Sequence, residues 1–128
     1  MIEVYDEIGL EKLKRQPSSL LFINAAWSKY AAEVKGQLWE MELAFFNNPA
    51  FEGILFYETD FEKAHSSILE WLKKQDNHRL NMFPGITCGA GSLLWLKHGR
   101  VAVFVMNVEE MGLQTVVETT IRQFSIKR

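Results

Sequence analysis

The segment LLFINAAWSKYAAEV, from Leu20 to Val34, decides the fold of this chain. Its first part, Leu20 to Ala26, is a run of strand-forming residues that is apolar on both faces, as expected for a central strand covered by helices on each side. The run breaks at Trp27-Ser28-Lys29-Tyr30 and continues directly into a helix-forming segment. In an open α/β sheet, this junction forms a crevice with unpaired backbone N–H groups. The crevice holds no Cys, His, Asp or Glu, so it has the position of a reactive site without the reactive groups.

On the carboxyl side, a helix from Ala31 to Asn47-Asn48-Pro49 is predicted, because apolar residues recur at three- and four-residue steps. The core-facing stripe comprises Val34, Leu38, Met41 and Phe45, widened by Trp39 and Phe46. A second core strand follows at Phe51 to Glu58, with Asp60 as a turn or cap residue. The β-α-β unit from Leu20 to Tyr57 predicts a parallel pair with a right-handed crossover.

On the amino side, Met1 to Tyr5 predicts a short strand, and Asp6 an N-cap for a helix that carries Leu10 and Leu13 and ends before Pro17. An amphipathic helix is predicted from Glu62 to Gln75, and a long loop from Asp76 to Gly91.

The last third predicts a hairpin and a helix. Ser92 to Lys97 and Arg100 to Met106 read as strands joined by a tight turn at His98-Gly99. Asn107 and Glu110 resemble a capping box before a final helix. Its apolar face comprises Leu113, Val116, Val117, Ile121 and Phe124. Trp39, Trp71 and Trp95 are expected in the core.

Composition bounds the function. A chain of 128 residues that is 48% hydrophobic is expected to form one domain over residues 1–128. The net charge of −2 comes from scattered charges, which argues against nucleic acid as a partner. No apolar run is long enough to span a bilayer and no secretory signal is evident, so a soluble, cytoplasmic protein is expected, with no membrane partner. The single cysteine, Cys88, excludes an internal disulfide and a multi-cysteine metal site.

The element order β-α-β-α-β-α-β-β-α resembles the thioredoxin-like superfamily over nearly the whole chain. The resemblance implies an α/β fold with a central mixed sheet of four or five strands flanked by helices. Trp27 keeps its place in the family's Trp-Cys-Gly-Pro-Cys junction, and Ser28-Lys29-Tyr30-Ala31 stand in place of the CxxC motif. Gly89-Ala90-Gly91-Ser92, followed by an apolar strand and Lys97-His98-Gly99, is similar to the family's Gly-Ile-Pro-Thr segment and the turn after it. Gly91 then occupies the position of the family's cis-proline.

This sequence differs from the family pattern at three further positions. The family's buried Asp falls at Phe22, its Lys partner falls at Phe56, and its helix-kinking Pro is replaced by Gly36. A carboxylate buried without a partner is costly, and a chain with no thiol to deprotonate has no use for one at this place. Dithiol exchange needs an attacking thiolate and a second sulfur, which this junction does not supply.

The resemblance therefore implies a redox-inactive protein-binding module, of which an inhibitor or immunity-type protein is a narrower version. The groove would comprise Trp27, Ser28, Lys29, Tyr30, Ala90, Gly91 and Ser92. A protein or an extended peptide is the expected partner, with no cofactor, and the oligomeric state stays open. The alternative is an enzyme, a monothiol oxidoreductase or transferase that acts through Cys88, although a lone cysteine is more often an inert small residue.

Other candidates have plainer interpretations. Ser28 suits an N-cap better than a nucleophile, because no His or acid is near it in sequence. His65, His78 and His98 belong to different predicted elements, so no metal site is expected. The segment Gly89 to Ser92 precedes a strand, whereas a phosphate-binding loop must open a helix.

Overall fold

The computed structural model describes residues 1–25, 28–60, 62–77, 80, 91–106 and 111–126. The strands are β1 (Ile2–Glu3), β2 (Ser18–Asn24), β3 (Leu55–Asp60), β4 (Ser92–Lys97) and β5 (Arg100–Val105). The helices are α1 (Glu7–Arg15), α2 (Lys29–Phe46), α3 (Ser66–Lys73) and α4 (Leu113–Gln123). The predicted loop from Asp76 to Gly91 and the predicted capping box at Asn107 lie mostly or wholly outside the described residues.

The five strands form one mixed sheet in the order β1-β3-β2-β4-β5. β1 and β2 pair with β3 in parallel, while β4 is antiparallel to both β2 and β5. The predicted central position of β2 is confirmed, and Leu20, Leu21, Phe22 and Ile23 are all buried because helices cover both faces. The parallel β2-α2-β3 unit and the terminal hairpin are confirmed as well.

The two faces of the sheet carry separate hydrophobic clusters. One includes Leu10 and Leu13 of α1 with Ile68, Trp71 and Leu72 of α3. The other includes Ala31, Val34, Leu38, Met41 and Phe45 of α2 with Val116 of α4. These are the residues that helical periodicity selects, since positions three and four apart share one side of a helix.

Local signals in the sequence set several boundaries. The Asp6 carboxylate accepts a hydrogen bond of 2.7 Å from the Gly9 N–H and so caps α1 as predicted. His98 and Gly99 have φ values of 51° and 78°, which suits a two-residue hairpin turn. β3 begins at Leu55 and not at the predicted Phe51, because Asn48 caps a 3-10 turn over Pro49–Phe51.

Three apolar residues predicted for the core are exposed. Trp39 and Phe46 of α2 are 62% and 87% exposed, and Leu113 of α4 is also on the surface. Trp39 and Phe46 each directly follow a buried residue of α2, but the sheet covers only one side of that helix. Trp71 and Trp95 are buried as predicted.

A buried threonine in α4 provides a hydrogen-bond partner for a polar group in the core. The Trp95 indole N–H donates to Thr120 Oγ1 over 2.9 Å, and the Thr120 hydroxyl donates to the Val116 carbonyl over 2.8 Å. A buried donor without a partner would be costly, so Thr120 replaces the apolar residue that periodicity suggests.

Candidate functional site

The junction between β2 and α2 is organised by Ser28. Its Oγ accepts hydrogen bonds from the Tyr30 and Ala31 N–H groups, at 3.2 and 3.4 Å. Its own N–H donates to the Ala25 carbonyl over 2.9 Å. Two of the unpaired N–H groups at the start of α2 are therefore satisfied by a side chain that is itself buried. The geometry is that of a helix cap, as the sequence predicts.

Lys29 and Tyr30 are the exposed side chains at this junction. Tyr30 is 49% exposed, and Lys29 Nζ lies 5.3 Å from the centroid of its ring. A cation over an aromatic face is weakly attractive at an exposed site, so the ammonium and the phenol ring form one surface feature. They offer apolar area, a positive charge and a hydroxyl to a partner.

Gly91 and Ser92 lie at the same end of the sheet. Ser92 pairs with Ile23 near the end of β2, and a Cβ built on Gly91 would lie 3.1 Å from the Ile23 carbonyl oxygen. The buried Ser92 hydroxyl donates to the Met106 carbonyl over 2.7 Å. Ser28, Gly91 and Ser92 are thus buried at this end of the sheet, whereas Lys29 and Tyr30 are exposed.

Three candidate residues cannot be placed against this geometry. Trp27, Cys88 and Ala90 fall outside the described residues, so the predictions made for them stay predictions. Ala31, which the family resemblance puts in the place of the second CxxC cysteine, is fully buried in the first turn of α2.

An ion pair between a buried acid and a half-exposed lysine, on the α2 face of the sheet, is a feature that the sequence analysis misses. Phe22 and Phe56 are buried as expected, but the strand register pairs Phe22 with Glu58, and Phe56 with Leu20. Glu58 is only 3% exposed, and its two carboxylate oxygens lie 2.8 and 3.0 Å from Lys35 Nζ. The signal is an acid near the end of an apolar strand and a Lys on the preceding helix, two positions that sequence spacing alone does not connect.

Acidic groups also surround Tyr5. Burial raises the pKa of its phenol above the ordinary value of 10.0, and the negative charges of Glu58, Glu3 and Asp60 raise it further. The Asp60 carboxylate accepts a hydrogen bond of 2.9 Å from the Glu62 N–H, which confirms its predicted role in a turn. Carboxylates thus gather where β3 ends.

The described histidines serve local structure. His65 Nδ1 accepts a hydrogen bond from the Ser67 N–H and caps α3, while His98 lies in the hairpin turn. Among the described residues, no group of three His, Cys, Asp or Glu side chains is arranged to hold a metal ion. His78 is outside the described ranges. None of the helices in the described ranges is both long and apolar enough to cross a membrane.

Comparison with known proteins gives a structural answer only. No protein-family model matches the chain, and no curated protein matches it in sequence. The structure superposes on thioredoxin from Fasciola hepatica with a TM-score of 0.67 and 12% identity, covering 95% of this chain and 98% of that one. For thioredoxin from Plasmodium falciparum the TM-score is 0.65 and the identity 11%, over 93% of this chain and 98% of that one. For thioredoxin from Trypanosoma brucei brucei the TM-score is 0.64 and the identity 10%, over 97% of this chain and 89% of that one.

The fold is thioredoxin-like. Coverage of nearly all of each chain means that the likeness includes the parallel core, the terminal hairpin and the last helix together. At 10 to 12% identity it concerns the fold and does not extend to activity.

Proposed function

We propose that this chain is a redox-inactive thioredoxin-like module that binds a protein or an extended peptide at the β2–α2 junction. The observation that carries the proposal is the environment of Ser28. Its hydroxyl accepts hydrogen bonds from two backbone N–H groups, at the position where the resemblance places the first cysteine of a CxxC motif. Dithiol exchange needs two sulfurs, and the chain contains one cysteine, Cys88.

The proposed contact surface is the corner formed by Trp27, Lys29 and Tyr30 with the segment from Ala90 to Ser92. Tyr30 provides an exposed aromatic ring, a residue type that is enriched at protein interfaces, and Lys29 places a cation beside it. A partner held here would lie across the end of the sheet, beside the start of α2. An inhibitor or immunity-type protein acting on one partner in the cytoplasm is a narrower form of the same proposal.

A gain-of-function pair of variants tests the redox part. The wild-type chain is expected to give no reduction of insulin by dithiothreitol above background. Ser28→Cys/Ala31→Cys places two sulfurs where the cap and its buried neighbour stand, and it is expected to form a disulfide and gain measurable activity. The single Ser28→Cys variant is the control, since it has no resolving sulfur in the motif. Activity of the wild type equal to that of the double variant would contradict redox inactivity.

A binding experiment tests the corner. Partners captured from the native host by the wild-type chain are expected to be lost with Trp27→Ala/Tyr30→Ala. Ile8→Ala removes another exposed apolar side chain, on α1, and is expected to change nothing. Unchanged capture by the double variant would remove the corner from consideration.

The second candidate is a monothiol oxidoreductase or transferase that uses Cys88. It draws support from Gly91, which lies only three residues further along the chain and packs against the end of β2. Alkylation of the folded protein at pH 6 separates the two candidates, because only a thiol with a lowered pKa reacts rapidly there. Protection of Cys88 until the protein unfolds would exclude the enzyme.

A further inference from the structure

The outward side of α2 carries an apolar stripe that the described chain leaves uncovered. Trp39, Leu43 and Phe46 are 62%, 55% and 87% exposed, and Ala32 and Gly36 continue the stripe towards the start of the helix. The spacing from Ala32 to Phe46 is four, three, four and three residues. At about 100° per residue, these five positions fall within an arc of about 80° and span about 21 Å. The stripe lies opposite the one that packs on the sheet.

A recess adjoins each end of this stripe. One of about 420 Å³ is lined by Ala32, Gly36 and Trp39 together with the Lys35–Glu58 ion pair. A Cβ built on Gly36 meets nothing within 4 Å, so the glycine keeps this end open. The other recess, of about 560 Å³, lies beside Phe46 and the turn that follows α2. Large apolar side chains of a partner could enter both recesses while its middle packs on Leu43.

The charges beside the stripe indicate what kind of partner fits. Exposed Glu33 and Glu40 lie along one side of it, and within the described residues neither forms an ion pair. On the other side, Lys35 is held by Glu58, and Glu42 lies 3.0 Å from the Met1 amino group. Exposed Lys29 lies one turn before Glu33 on the same side, so two carboxylates stand against one ammonium there. The charge along the stripe is still acidic, and it would attract a basic partner.

We propose that this surface docks an amphipathic helix of a different protein, with large apolar residues on one side and Lys or Arg beside them. A four-three repeat of apolar positions is the pattern by which two helices pack along a common seam. The stripe is long enough for about four turns of such a helix. This surface is separate from the Tyr30 corner, so the chain could hold one partner at each.

A second copy of the chain fits less well. Antiparallel packing of two α2 helices would bring Glu33 and Glu40 of each copy towards those of the other, because residues on one side of the seam face their own kind in that arrangement. Like charges at such positions are unfavourable. A basic helix replaces this repulsion by attraction.

The test uses a synthetic peptide of about 18 residues, built from Leu and Lys so that Leu occupies one side of a helix. A peptide of the same composition in scrambled order, with no apolar side, is the control for general attraction to an acidic protein. Fluorescence anisotropy of each labelled peptide with the full chain is expected to show at least about tenfold tighter binding of the amphipathic one. Trp39→Ser/Phe46→Ser is expected to abolish that difference.

Two further variants separate docking from folding. Gly36→Gln projects a side chain into the recess while favouring the helix, so it is expected to weaken peptide binding without loss of stability. Glu33→Lys/Glu40→Lys is expected to weaken binding at low salt and much less at high salt. Ile8→Ala, which removes an exposed apolar side chain on α1, is expected to leave binding unchanged.

Equal binding of the two peptides, or binding that survives Trp39→Ser/Phe46→Ser in a folded protein, would overturn the proposal. So would self-association of the wild-type chain in analytical ultracentrifugation that these substitutions abolish, because the occupant would then be a second copy.

Discussion

The ring of Phe22 fills the space in which a side chain at position 91 would begin. A Cβ on Gly91 would lie 2.6 Å from Phe22 Cε1, and the glycine has a φ of 83°, which favours glycine over other residues. The contact joins the start of β4 to the core of β2 at the end of the sheet where the proposed corner lies. Position 91, at which the family resemblance implies a cis-proline, is thus restricted by packing to a residue without a side chain.

Gly91→Ala is expected to destabilise the protein by about 2 to 4 kcal/mol, through backbone strain and overpacking together. Denaturant unfolding measures the change. Gly53→Ala is the matched control, because Gly53 also has a positive φ of 86° but nothing within 4 Å of a built Cβ. A loss no greater for Gly91→Ala than for this control would show that the Phe22 contact relaxes freely.

Ser28→Ala is expected to reduce the free energy of unfolding by about 1 kcal/mol, since it removes the acceptor for the Tyr30 and Ala31 N–H groups. Ser28→Asp keeps an acceptor at the helix start and is expected to lose less. Thermal or denaturant unfolding of the three proteins gives the comparison. If Ser28→Ala were as stable as the wild type, the cap would be energetically unimportant.

The Lys35–Glu58 pair is expected to show strong non-additivity. Lys35→Met leaves the Glu58 carboxylate buried without its cation, and about 1 to 3 kcal/mol of stability should be lost, moderated because the Lys35 side chain is 45% exposed to water. Lys35→Met/Glu58→Met removes both charges and is expected to recover much of this loss. A double-mutant cycle from urea unfolding measures the coupling. Additive single effects would mean that the pair contributes nothing beyond its separate side chains.

In alkaline titration, half-buried Tyr5 and buried Tyr57 are expected to ionise at a higher pH in the folded protein than in the unfolded chain. Burial raises the pKa of Tyr5 and Tyr57 above 10.0 in the folded protein, and nearby carboxylates add to the effect at Tyr5. A phenol is neutral when protonated, so a raised pKa favours the folded state below pH 10 and this contribution is lost as pH rises through the folded pKa.

Ultraviolet absorbance of phenolate, recorded in native buffer and in denaturant, should therefore give a later native titration. Tyr5→Phe is expected to remove part of the difference and to lessen the loss of stability above pH 10. Coincident native and denatured curves would contradict the assigned burial.

Much of the fold was predictable because local signals and core patterning agree. Asp6 caps α1, Pro17 ends the segment before β2, and His98-Gly99 joins β4 to β5, each through backbone preferences that act over a few residues. For the candidate site, the sequence predicted the cap at Ser28. The site roles predicted for Trp27, Cys88 and Ala90 stay predictions.

The sequence by itself determined the order of the strands and helices, the central place of Leu20 to Ile23 and the buried positions Val34, Leu38, Met41 and Phe45 of α2, because periodicity and turn chemistry are local properties. Only the tertiary structure decided that Glu58 lies opposite Phe22 in the sheet and forms an ion pair with Lys35. It also decided that the Trp95 N–H donates to Thr120, and that Trp39 and Phe46 face outward. Strand register and the side on which a helix is covered depend on contacts between residues far apart in the chain, and no local pattern specifies them.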